Sequence, residues 1–276
     1  MVIGQGYVGL PVAVAAAEAG WDVTGIDLDP MKVEMLTNGI SPVEDISDEQ
    51  LQAIKEAGRY RVSAEYSDVA GFDVAVISVP TPLRDTKPDL TYIELSGGSL
   101  APYVTKGSTV ILESTTYPGT TEELLAPILE KGSGLKAGVD FHLGYSPERI
   151  DPGNTTFGLK ETPKVVSGIN AESLKRVKSF FDDFVITTVT TSGTREAELS
   201  KLLENTFRHV NIALVNELAQ FASQLGIDIW EAIDAAASKP FGFMKFTPGP
   251  GVGGHCLPID PSYLSWQVQT ALGMPF

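Results

Sequence analysis

Basic residues are in short supply. Lys and Arg number 20 against 35 Asp and Glu, a formal net charge of −15 over 276 residues. A nucleic-acid groove or an anionic membrane surface calls for concentrated positive charge, so this balance argues against both partners. It does not exclude an anionic small molecule, because a few Arg and Lys can still converge locally. Cysteine is scarcer still. The single one, Cys256, rules out an intrachain disulfide and suits a reducing compartment. No uninterrupted apolar run approaches the roughly 18 residues needed to span a bilayer. The start has no basic segment followed by an apolar one, as a signal peptide would. His142, His209 and His255 show no metal-ligand spacing with other donors, so no metal site is expected. A cytoplasmic protein is the reading these absences leave.

The hydrophobic fraction is 43% and the charged fraction 20%, ordinary for a globular chain. The length allows one large domain or two of ordinary size. Both ends read as truncated. Met1-Val2-Ile3 runs straight into a glycine loop, where a first strand normally has about 5–6 residues. At the other end the helical stretch Leu264–Val268 is soon followed by the last residue.

Gly4-Gln5-Gly6-Tyr7-Val8-Gly9 fits G-x-G-x-x-G. It follows a β-branched pair and precedes an alanine-rich helix, Leu10–Ala19, closed by Gly20. A second strand, Trp21–Ile26, then delivers Asp27. In a dinucleotide site the first glycine permits the turn and the second lets the pyrophosphate approach. The third allows close helix packing, with the helix N-terminus facing the phosphates. An acid about 20 residues on binds the ribose 2′-OH and repels a 2′-phosphate, so Asp27 favours NAD over NADP.

Residues 30–60 read as helical with a break at Ser41-Pro42. Asp73–Val79 is a continuous apolar strand of the kind buried in a parallel sheet, ending in Pro80-Thr81-Pro82. Asp85–Pro88 reads as loop and 91–104 as helix. Strand Thr109–Leu112 leads into Glu113-Ser114-Thr115-Thr116, whose hydroxyls serve equally well as helix caps or as groups that order a ligand or a water. Asp140–Tyr145 is another strand, running into Ser146-Pro147-Glu148-Arg149-Ile150-Asp151. Lys164–Gly168, a helix near 171–183 and Val185–Val189 continue the alternation. The whole predicts an α/β fold with a doubly wound parallel Rossmann-type sheet over 1–192. A helical region over 193–276 follows.

One long helix is expected over 195–225. Leu199, Leu203, Val210, Leu214, Phe221 and Leu225 lie along one side at about 100° per residue. Lys201, Asn205 and Arg208 lie opposite, on a face that continues as Ile212, Val215 and Ala219. A helix apolar nearly all round after Arg208 should be buried or should face another subunit, and the polar trio then reads as a buried site. The remaining feature is the loop Pro248–Asp260, which frames Cys256 with glycines. Pro258 fits the first turn of a helix, whose N-terminus favours a thiolate just ahead of it. Asp260, four residues on, can share a helix face with the thiol. Cys256 therefore reads as an exposed nucleophile.

These motifs, in this order, closely resemble the UDP-glucose/GDP-mannose dehydrogenase family. They are Gly4–Leu10, Ser78–Pro82, Glu113–Thr115, Ser146–Arg149, Lys201–Arg208 and Gly251–Asp260. Glu148–Asn154 and Lys239–Trp266 look most like its UDP-N-acetylglucosamine 6-dehydrogenases, with the N-acetylmannosamine and N-acetylgalactosamine enzymes as near relatives. The resemblance implies oxidation of the sugar C6 alcohol to a carboxylate with two NAD reduced, through a Cys256 thiohemiacetal and thioester. It gives Lys201 an oxyanion-stabilising or acid/base role and has Asn205 position the reacting oxygen. Asp260 and Thr115 order or activate the water, and Glu148 serves thioester hydrolysis. Arg149, Ile150, Arg208 and Gly253, with Lys201 and Asn205, contact the UDP-sugar. Gly4, Gly6, Tyr7, Val8, Gly9, Asp27, Thr81 and Thr115 contact NAD. One branch of the family has a second glutamate where Pro152 stands, so that role is not carried over. The family's C-terminal UDP-binding domain is absent, which implies a chain that binds NAD but turns over UDP-sugar poorly. The long helix points to a homodimer through 195–225. The competing readings are an NAD-binding remnant and a two-electron hydroxyacid or 6-phosphogluconate-type dehydrogenase, whose chemistry has no use for Cys256.

Overall fold

The computed structural model describes residues 1–85, 87–150, 156–253 and 257–275. The first elements are β1 (Val2–Ile3), α1 (Gly9–Glu18), β2 (Val23–Ile26), α2 (Pro30–Thr37), α3 (Asp48–Glu56), β3 (Tyr60–Ser63) and β4 (Val74–Ile77). Next come β5 (Leu83–Arg84), β6 (Lys87–Pro88), α4 (Thr91–Leu100), β7 (Thr109–Leu112), α5 (Ala126–Ser133), β8 (His142–Tyr145), β9 (Lys164–Val166) and α6 (Ala171–Asp182). β10 (Thr188–Thr190), α7 (Thr194–Leu225), α8 (Ile229–Ala237) and α9 (Asp260–Leu272) complete them. The chain divides into two compact units, Met1–Arg84 with Pro88–Lys201, and Asp85–Lys87 with Leu202–Phe276.

The first unit is built on a six-stranded sheet in the order β3-β2-β1-β4-β7-β8. Every neighbouring pair runs parallel. Parallel strands need helical crossovers on both faces, so their side chains are apolar without alternation. Ala75–Ile77 and Val110–Leu112 are buried throughout. In α1 every residue from Gly9 to Ala17 is buried, and its alanines let the helix lie close on the strands. Strand order reverses at β1, between β2 and β4. That switch point opens a crevice at the carboxyl ends of the strands, where open α/β sheets bind ligands.

Three local expectations are corrected. Residues 60–63 form β3, an edge strand that the helical reading of 30–60 passed over. Its sequence Tyr-Arg-Val-Ser alternates buried and exposed positions at its start, as an edge allows. Asp85–Pro88 is not plain loop, because Leu83–Arg84 and Lys87–Pro88 form a two-stranded ladder. Asp85 turns with φ 51°, a left-handed conformation that Asp tolerates better than most residues. The strand expected at Val185 begins at Thr188, and it pairs with β9 in a separate parallel ladder rather than joining the main sheet.

In the second unit α7 continues, followed by α8 and α9. The side chain of Asp228 caps α8, accepting from the N–H groups of Trp230 (2.9 Å) and Glu231 (3.2 Å). The apolar stripe of α7 is not buried within the chain. Leu203 is 63% exposed, Val210 56%, Leu214 51%, Phe221 58% and Leu225 72%, whereas Val215 and Ala222 are buried. The rest of the unit covers one line of the helix and leaves the wider apolar face uncovered.

Candidate functional site

The loops after β1 and β4 meet at the switch point. Gly4 turns with φ +89°, and a Cβ there would come within 2.5 Å of the Ser78 carbonyl oxygen. A Cβ on Gly9 would stand 1.9 Å from the Gly4 carbonyl oxygen and 2.3 Å from Ser78 Oγ. These two glycines are demanded by the protein packing on itself. Gly6 differs, because a Cβ there meets nothing within 4 Å. Its backbone borders open space at the start of α1, which is the room a pyrophosphate needs beside helix N–H groups. Asp27 ends β2, is buried, and accepts from Gln5 N (2.8 Å) and Asp29 N (3.0 Å). Lys32 lies 3.4 Å from the same carboxylate. Tyr7 is 56% exposed, Val8 caps α1, and Thr81 and Thr115 are half-buried in the loops after β4 and β7. The cradle fits a dinucleotide, with Gly6 as the open side and Asp27 as the acid.

A second cluster forms around Lys164. Lys164 on β9 is buried and its ammonium donates to Glu113 Oε1 and to Glu148 Oε2, the latter at 3.1 Å. Glu148 Oε1 also accepts from the N–H groups of Arg149 and Ile150, each at 2.6 Å. Burial pushes the Glu148 carboxyl up, but Lys164, the Ile150 N–H and the Lys201 charge together outweigh it and hold the group below its ordinary value. Burial pushes Glu113 up further than Lys164 pulls it down, and the Glu148 charge adds to the rise, leaving it at about 7. Lys164 is raised, because the attraction of its two carboxylates exceeds the cost of burial. Lys201 is itself buried, and its charge reaches Glu148.

Glu198 lies one helical turn before Lys201. It is fully buried and accepts from Gly119 N (2.6 Å), Thr121 N (2.9 Å) and Thr121 Oγ1 (2.7 Å). It thereby fastens the start of α7 to the helical turn Thr120–Leu125. Burial raises its carboxyl to about 7 despite these donors. Glu198→Ala would leave two backbone N–H groups and a hydroxyl buried without an acceptor. At about 1–3 kcal/mol for each unsatisfied group, a loss of about 3 kcal/mol or more is expected. Urea unfolding measures it, and a loss below about 1 kcal/mol would show that water replaces the carboxylate.

Lys164, Glu198 and Glu113 carry no site role in the sequence pattern. A signal was present in each: Lys164 opens an otherwise apolar strand, and Glu198 sits among helix positions that pack inward. Neither position declares its partner, because both partners come from distant parts of the chain.

In the second unit, Asn205 Nδ2 donates to Asp260 Oδ2 at 2.5 Å, and Arg208 Nη2 donates to Asn205 Oδ1 at 3.2 Å. Asn205 and Asp260 are buried and Arg208 half-buried. Gly249 N donates to Asn216 Oδ1 at 2.9 Å, which ties the glycine-rich loop to α7. Gly253 is exposed. Cys256 lies outside the described residues, as does Pro152. The expected helix start at Pro258 is corrected. Residues 257–259 are a turn and α9 begins at Asp260, with Pro261 in its first turn. Pro261 fixes the first-turn φ instead, so Asp260 opens the helix; the expected pairing of Asp260 with Cys256 falls on a residue outside those described.

A parallel sheet with this strand order, a glycine turn at its switch point and an acid ending the second strand define a Rossmann-type dinucleotide-binding domain. Residues 1–185 match the NAD-binding domain of the UDP-glucose/GDP-mannose dehydrogenase family, and residues 195–275 match that family's central domain. The chain belongs to this family. It is 38% identical over 274 residues to a UDP-N-acetyl-D-mannosamine dehydrogenase of Pyrococcus horikoshii, covering 99% of this chain and 65% of that protein. It is 40% identical over 271 residues to a UDP-N-acetyl-D-glucosamine 6-dehydrogenase of Pseudomonas aeruginosa, covering 98% of this chain and 63% of that protein. The solved structure of a UDP-D-ManNAc dehydrogenase from Pyrococcus horikoshii superposes with a TM-score of 0.92 over 100% of this chain and 66% of that one, at 38% identity. The chain thus spans less than two thirds of the length of both sequence relatives. Among the described residues no helix is long and apolar enough to cross a membrane.

Proposed function

We propose that the chain supplies the NAD-binding and central parts of an enzyme for NAD-dependent oxidation of a UDP-sugar at C6 to the uronic acid, with UDP-N-acetylglucosamine first among the sugars, and that by itself it turns the sugar over poorly. The observation that carries the reading is the buried Asn205–Asp260 pair, at the two positions the family resemblance gives to the reacting oxygen and the water. Bound NAD supplies the hydride acceptor for both oxidations. Lys201 stabilises negative charge on the sugar oxygen, and Asn205 orients that oxygen. Cys256 adds as thiolate to the aldehyde, giving a thiohemiacetal whose oxidation leaves a thioester. Asp260 and Thr115 order the water, Glu148 takes its proton, and hydrolysis returns the thiol and releases the acid. Arg149, Ile150, Arg208 and Gly253 contact the sugar nucleotide, while Tyr7, Val8, Asp27, Thr81 and Thr115 line the NAD site. UDP-N-acetylmannosamine is the second reading, favoured by the Pyrococcus horikoshii relative and its structure.

The deciding experiment supplies NAD and a panel of UDP-sugars and counts NADH against acid. Two NADH per acid supports the reading, and one per sugar overturns it in favour of a two-electron dehydrogenase. NAD binding without turnover of any sugar would leave an NAD-binding protein only. Cys256→Ser should keep NAD affinity and lose acid formation. If it retains full activity, the covalent route is wrong.

Two further expectations arise here. Asp27→Ala removes the acceptor for the ribose hydroxyl. A charged hydrogen bond of about 1.5–3 kcal/mol corresponds to at least about tenfold weaker NAD binding. The preference over NADP should narrow as well, and fluorescence titration with both nucleotides checks this. The uncovered apolar stripe of α7 fits a second copy of the chain, giving a homodimer through 195–225. Phe221→Glu would then shift the mass measured by light scattering from dimer to monomer.

A further inference from the structure

We propose that Lys164 and Glu113 are positioning residues for Glu148, keeping its carboxylate charged and fixed for the hydrolytic half of the reaction by confining the one proton of the trio to Glu113. The inference rests on the proposed role of Glu148 and extends it to two residues that contact neither cofactor nor sugar in that reading.

Two buried carboxylates share a single ammonium, so if all three groups were charged the trio would carry one uncompensated negative charge. Such a charge is costly away from water, and a shared proton removes it. The hydrogen bonds decide which carboxylate keeps the negative charge. Among the described residues Glu148 has three donors, the N–H groups of Arg149 and Ile150 and the Lys164 ammonium. Among the described residues Glu113 has the ammonium as its one donor, and its Oε2 is buried with no hydrogen-bond partner there. A carboxylate with several donors is held ionised, and one with few takes the proton. The Lys201 charge also favours the ionised form of Glu148. The charges acting on Glu113 are those of Lys164 and Glu148, while α6 presents the ring of Phe181 5.2 Å from the ammonium. The raised Glu113 and lowered Glu148 carboxyls agree with this assignment. Glu148 is thus a base that stays ionised inside a buried site because its neighbour carries the proton.

The test compares wild type with Glu113→Gln, a neutral isostere, and Glu113→Asp, which restores an acid. A group whose folded pKa is raised gives stability that is complete below its unfolded pKa and is lost as pH rises through the folded one. Relative to Glu113→Gln, the wild-type unfolding constant should therefore rise by about tenfold per pH unit between about pH 5 and pH 7, then level off. Glu113→Asp should recover part of that slope. With sugar and NAD, Glu113→Gln, neutral like the protonated acid, should keep kcat near wild type below about pH 7 and remove the change in acid release near pH 7, with Glu113→Asp partly restoring that change, whereas Lys164→Met should lower kcat at unchanged KM. Parallel stability curves for wild type and Glu113→Gln would overturn the proton assignment. An unchanged pH profile in Glu113→Gln, or an unchanged kcat in Lys164→Met, would overturn the positioning role. If no form turns over any sugar, the proposed function fails separately, and the stability curves alone decide the state of the trio.

Discussion

Lys164→Met is expected to lower the free energy of unfolding by about 3–5 kcal/mol at pH 8, the usual cost of removing one partner from a buried ion pair. The mutation leaves Glu113 and Glu148 together in a site where both are buried and, among the described residues, only Glu148 keeps other donors. It also removes the ammonium near the Phe181 ring. The penalty should shrink as pH falls. Without Lys164 both carboxyls rise, and a group with a raised folded pKa is least destabilising where it is protonated. Adding Glu113→Gln to Lys164→Met should recover part of the loss, because the second negative charge goes with it. Denaturation in urea at pH 5.5 and pH 8 measures all of this. A loss below about 1 kcal/mol at pH 8 would mean that water or a local rearrangement solvates the carboxylates.

The glycine loop yields the second large effect as a contrast. Gly9→Ala places a methyl 1.9 Å from a backbone oxygen that cannot move without shifting the β1 turn. Overpacking typically costs ~1–3 kcal/mol, and a clash with backbone belongs at or above the top of that range. The expected result is a chain that loses ~3 kcal/mol or more, or fails to accumulate in soluble form. Gly6→Ala should behave in the opposite way. Gly6 has no left-handed φ and its Cβ would meet no protein atom, so thermal stability should stay close to wild type. The added methyl would instead fill the open side of the cradle, and NAD affinity should fall by about tenfold or more, about 1.4 kcal/mol or more. Equal NAD affinity in Gly6→Ala and wild type would place the pyrophosphate elsewhere. Full stability in Gly9→Ala would show that the β1 turn yields more easily than its contacts indicate.

The same loop is legible in the sequence alone. Glycine spacing, the alanine-rich run after it and the acid at the end of the next strand are local patterns, and each follows from what a turn, a close-packed helix and a ribose need. The buried strands Val74–Ile77 and Thr109–Leu112 were legible because strands covered on both faces are apolar throughout. β3 was not, because a short edge strand with alternating polar residues carries too weak a pattern against the helical residues around it. The uncovered stripe of α7 was visible as periodicity, but whether its own chain would cover it was not. Periodicity gives the face of a helix and says nothing about what lies opposite.

The sequence by itself determined the fold class, the cofactor cradle and the membership in the UDP-glucose/GDP-mannose dehydrogenase family, since all three rest on order and spacing along the chain. Tertiary structure alone decided how the charges are arranged. Glu113, Glu148 and Lys164 are separated by 35 and 16 positions in chain order, and Glu198 lies 77 residues from the Thr121 it holds. A charged residue in a sequence has no sign of its burial or its partner. Both are set when strands and helices from distant segments close around it, and with them the group that carries the proton.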